Sequence, residues 1–187
     1  IMKTIAQIVC ISLLSTLSAI GADDSTSSKP STELESFAAQ TGAVIIRGYT
    51  ELGKVTGLGT VEVDCREFLN AQSGEQTHGM LIKVTESGRY DRNDSSFIDY
   101  DEIESLLSGI DYIAKIDASV TKLKNFEATY TTRGNFAVTV FNDSKGKLGI
   151  AVSSGRIGRA TAYLNFEQLT QVRTLIVSAK DRIEEIQ

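Results

Sequence analysis

From residue 43 onward the chain shows two kinds of apolar pattern, and the switch between them occurs twice. Ala43-Val44-Ile45-Ile46-Arg47-Gly48-Tyr49 is a β-branched run of the kind that fits a pleated surface. Residues 57–65 alternate apolar and polar, with Val61, Val63 and Cys65 on one side. Residues 79–85 predict a third strand after the Ser73-Gly74 turn, and residues 95–98 a short fourth. The period then lengthens: Ile103, Leu106, Leu107, Ile110, Ile113 and Ile116 recur every three or four residues, which predicts an amphipathic helix. The second half runs through the same order. Strand patterns at 126–131, 136–141, 148–152 and 161–164 precede a stripe of Leu169, Val172, Leu175, Ile176, Ala179, Ile183 and Ile186. Residues 33–41 add a short helix before the first strand.

Both long helices carry matching start signals. Asp99 with Glu102 and Asn165 with Gln168 have the spacing of capping boxes, and Ile98/Ile103 and Leu164/Leu169 stand at staple positions. The correspondence reaches further. Residues 97–103 align with 163–169 with like residues at all seven places, and Ser87-Gly88-Arg89-x-x-Arg92 repeats as Ser154-Gly155-Arg156-x-x-Arg159. The expected fold class is therefore α+β, two tandem ββββα repeats (about 40–120 and 121–187) in one globular domain spanning 33–187. One such unit cannot bury its own apolar face. The two are expected to pack on each other about a pseudo-twofold, with both helix stripes against sheet faces.

The first 22 residues follow a different logic. Met2-Lys3 gives a positive start, Ile5 to Leu17 an apolar run, and Ser18-Ala19-Ile20-Gly21-Ala22 small residues for a peptidase, the make-up of a secretory signal. Residues 23–32 are polar, include the sole proline, and read as a flexible leader. The expected location is periplasmic or secreted, with no membrane association once the signal is cut. Removing residues 1–22 leaves 18 basic against 24 acidic residues, a balance of −6 that disfavours broad polyanion binding. It leaves Cys65 without an intrachain partner, and its side of the strand makes it a buried thiol.

Two constellations bear on chemistry. Arg89, Arg92, Arg156 and Arg159 are paired by the repeat, and under a twofold they would converge on a groove able to grip a carboxylate, sulfate or phosphate. The other reading pairs each with nearby acids at a strand end. Asp91, Asn93, Ser95, Asp99 and Glu102 have the oxygen spacing of a calcium loop, but Ser96 stands where the loop needs glycine and a strand precedes it. No metal or cofactor is expected. His78 is solitary, and no nucleophile–base set, zinc spacing or phosphate loop is present.

The element order, together with Lys145-Gly146-Lys147 at a strand start, resembles the Whirly-type single-stranded nucleic-acid-binding fold, over residues 43–187. The resemblance implies the duplicated architecture and, as an expectation, single-strand binding. The acidic balance and lack of Trp argue against that activity. The leading functional expectation is an exported, non-enzymatic binding or interaction module. The alternatives are an anionic-ligand-binding or hydrolytic protein using the arginines, and a Whirly-like binder.

Overall fold

A computed structural model describes residues 31–88 and 91–187. The signal segment, most of the leader and Arg89 lie outside them. After helix α1 (Glu33–Ala38), strands β1 (Ile45–Gly57), β2 (Gly59–Asn70), β3 (Gln76–Glu86) and β4 (Arg92–Asp99) form an antiparallel meander. Helix α2 (Ile103–Ile113) follows. The order repeats with β5 (Glu127–Thr131), β6 (Ala137–Asn142), β7 (Leu148–Ser154) and β8 (Ala160–Leu164), a second antiparallel meander, and helix α3 (Phe166–Glu184). The chain is thus two ββββα units, as the repeat predicts.

The units exchange their helices. α3 lies across β1 and β2 of the first sheet, while α2 lies on β5 and β6 of the second. Each unit therefore covers the other's apolar face, and one continuous core results. It joins Val61, Val63, Met80 and Ile82 to Val138, Ile150, Val172 and Ile176, all fully buried. Burying each such side chain contributes about 1.5–3 kcal/mol. A second cluster of Leu34, Phe37 and Phe68 fixes α1 to the opposite face of the first sheet.

Two further contacts lock the halves. The Ser96 and Ser154 hydroxyls meet at 2.7 Å in a buried site between the units. The tip of the β1–β2 hairpin also reaches the edge of the second sheet, where Leu58 and Tyr163 exchange both backbone hydrogen bonds (2.9 and 2.8 Å). Glycine is required at that tip. Gly59 has φ +103°, and a Cβ there would stand 2.8 Å from the Ala162 methyl.

The structure departs from the sequence reading at the helix starts and in the twin motif. α3 begins with the full capping box, Asn165 accepting from Gln168 N and Gln168 from Asn165 N. The counterpart at Asp99/Glu102 does not form. A single 3-10 turn at Tyr100–Glu102 intervenes, and Asp99 instead accepts from Glu33 N and Leu34 N at the start of α1 (2.8 and 3.0 Å). Thr32, placed in the leader, is buried and caps α1. The twin serines also differ: Ser154 is buried, whereas Ser87 is exposed.

Candidate functional site

The described arginines of the twin motif turn to three separate acceptors. Arg92 grips Glu86 through both carboxylate oxygens (3.0 and 2.8 Å). Arg159 donates to Gly155 O at 3.0 Å. Arg156 lies 3.6 Å from Glu35 and lines a cleft of about 380 Å³ whose other charged groups, Glu35 and Asp94, are acidic. The β4 start and the β7–β8 turn do come together, since Asp94 stands against Gly155 and Glu86 accepts from Thr161 N. Two carboxylates in the cleft lower its attraction for an anion.

The calcium spacing falls on an extended segment. Asp91 closes a turn by accepting from Gly88 N, Asn93 and Ser95 lie within β4, and Asp99 and Glu102 serve the α1 start and Arg133. At about 3.3 Å per residue, a strand cannot fold these oxygens around one ion. Among the described residues no group of three or more His, Cys, Asp or Glu is placed to hold a metal.

Cys65 is buried on the core face, where burial pushes its thiol up and Arg182 only partly opposes this. A neutral thiol is a poor nucleophile. His78 lies within β3, buried, with Nε2 3.3 Å from Glu67 of β2.

The sequence reading missed a lysine-rich end. β5 starts, and β6 turns into β7, at the same end of the second sheet, because Glu127 pairs with Phe141 and Asn142 with Leu148. Asn142 clamps the two segments, accepting from Phe126 N and donating to Lys124 O. Asp143 then shapes the β6–β7 turn, accepting from Lys145 N and Lys147 N (2.8 and 2.9 Å). Lys122, Lys124, Lys145 and Lys147 are gathered there, with Lys115 just past the C-terminus of α2. None of the five makes an ion pair or side-chain hydrogen bond among the described residues. From the last turn of α2 to the start of β5, Tyr112 (70%), Val120 (50%) and Leu123 (75%) are exposed.

No protein-family model, curated protein or solved structure matches this chain. The function therefore rests on the surface itself. Residues 112–147 hold six basic against three acidic residues in a chain whose net charge is −5. Of those three acids, Asp117 is bonded to Ser119 and Asp143 to the β6–β7 turn. Glu127, exposed at the start of β5, is the one acid of the three without such a bond, against four lysines at this end. A local charge tally along the sequence would have marked it; the whole-chain average hides it.

Proposed function

We propose that the chain is an exported, non-enzymatic interaction module that docks on an anionic surface through its lysine-rich end. One observation carries this reading: Lys122, Lys124, Lys145 and Lys147, none in an ion pair or side-chain hydrogen bond among the described residues, gather at the end of the second sheet to which the connection from α2 leads, and that connection exposes Val120 and Leu123, just after exposed Tyr112. Each lysine near a negative bilayer surface contributes about 1 kcal/mol, and apolar side chains between them enter the headgroup layer. A leucine prised from water adds further attraction that a purely phosphate-seeking patch does not need. The favoured occupant is a bilayer rich in anionic lipid. The contact is peripheral, in contrast to the sequence expectation of no membrane association once the signal is cut. No helix among the described residues is long and apolar enough to cross a membrane.

The test is co-sedimentation with vesicles of phosphatidylcholine alone and with added phosphatidylglycerol. Binding is expected only to the second kind, falling with salt. Changing Lys122, Lys124, Lys145 and Lys147 to Glu is expected to weaken it by at least about 10³-fold. Leu123→Asp is expected to weaken it with the lysines intact. Equal binding to both vesicle types, or binding to single-stranded oligonucleotides that ignores Leu123→Asp, would overturn the lipid reading.

A further inference from the structure

β1 is the longest strand among the described residues, and it lies at the edge of its sheet, paired on one side with β2 alone. One end of its open edge is taken. Thr56 O accepts from Gln168 Nε2, and the following Leu58 bridges to Tyr163. A bulge between Glu51 and Gly53 breaks the register before that point. Ile45–Glu51 is left as seven residues whose outward backbone groups meet no hydrogen-bond partner among the described residues. Edges are usually blunted by charge, proline or a covering element. This one exposes Ile46 (51%) and Tyr49 (64%).

The side chains along the stretch are self-complementary. Arg47, Tyr49 and Glu51 alternate onto one face, opposite Phe68, Arg66 and Asp64 of β2. Glu51 has no ion pair or side-chain hydrogen bond among the described residues, although it is exposed on a charged sheet face. An antiparallel partner related by a twofold through Tyr49 sets Arg47 opposite Glu51 of the second chain, and Glu51 opposite its Arg47. Tyr49 then faces Tyr49, and Gly48 faces Thr50, which leaves room at the backbone. Directly opposed residues in such a pair have their Cβ atoms about 4.5–5.5 Å apart, within reach of an ion pair. Shifting the axis by one residue to Gly48 puts Ile45 opposite Glu51 and loses both pairs.

We infer that β1 pairs with β1 of a second copy of this chain, joining two four-stranded sheets into one eight-stranded sheet across a twofold at Tyr49. The occupant is a second copy because the charge pattern reads the same in both directions about one residue. A heterologous strand has no need of that symmetry. This pairing is independent of the lysine-rich end, which belongs to the second sheet.

The test combines light scattering of the purified chain from 1 to 100 µM with two charge reversals. A dimer is expected within that range. Arg47→Glu and Glu51→Arg each place like charges opposite one another twice, and each is expected to weaken the dimer about tenfold or more. The double variant, Arg47→Glu with Glu51→Arg, restores both pairs and is expected to return the affinity to within about threefold. Tyr49→Cys lies on the axis and is expected to cross-link as a dimer on mild oxidation, whereas buried Cys65 in the unchanged chain does not. Arg47 also donates to Ala38 O at 3.3 Å. Glu51→Arg, which removes no such bond, separates loss of pairing from loss of folding. A monomer throughout the range, a dimer indifferent to Glu51→Arg, or a double variant no tighter than the singles would each overturn the inference.

Discussion

Ser154→Ala examines the junction between the two halves without touching either sheet's ladder. The Ser154 and Ser96 hydroxyls are 0% and 1% exposed and meet at 2.7 Å. Removing one leaves the other buried without its partner, which costs about 1–3 kcal/mol, more than the net worth of the bond itself. For a fold of this size, a 2 kcal/mol loss corresponds to a fall of about 4–8 °C in Tm. Ser96→Ala should cost a similar amount by the same route. The double change removes both polar groups and leaves no orphan, so it is expected to be more stable than either single variant. Thermal melts and urea titrations of the four proteins close the cycle. If the two losses simply add, the hydroxyls do not meet across the halves and the reasoning fails.

Three further outcomes follow from the geometry. Gly59→Ala forces φ +103° on an L side chain and sets its Cβ 2.7 Å from Thr85 O, so the urea midpoint should fall by the equivalent of about 1–3 kcal/mol. The Arg173 guanidinium, bonded to Asp111 at 2.6 and 2.9 Å, holds that carboxyl below its usual range against a smaller effect of burial. A depressed folded-state value stabilises above the unfolded value of about 4 and is lost as pH falls through the folded one. Asp111→Asn should therefore flatten the acid limb of a stability–pH curve, modestly because both groups are partly exposed. Cys65 should resist a thiol reagent at neutral pH in the native protein and react on unfolding, as mass mapping of the labelled peptide reports.

What the sequence revealed was what is local. The period change at residue 103, and again near 169, survives in the fold because a helix stripe needs only its own spacing. The α3 capping box formed because donor and acceptor lie three residues apart and nothing competes. The same spacing at Asp99 misled because a partner 66 residues away, the start of α1, took the carboxylate. β1 was read as 43–49 but runs to Gly57. An edge strand exposed on both faces loses apolar alternation, and Gly48 and Gly53 look like breaks. The lysine-rich end was legible as a local excess of basic residues but not as one surface: Lys124 and Lys147 are 23 positions apart, and the β5–β6–β7 meander brings their neighbourhoods together. The twin Ser-Gly-Arg motif showed the duplication but not its divergence, since Ser154 is a contact between units and Ser87 is not.

Exchange of helices between the two ββββα units organises everything else, because α3 covers the core face of the first sheet and α2 that of the second. Producing residues 31–120 and 121–187 as separate polypeptides examines it directly. Neither piece alone is expected to give a cooperative melt, and mixing the two should restore one transition with native circular dichroism. A cooperative transition from either piece by itself would contradict the exchange.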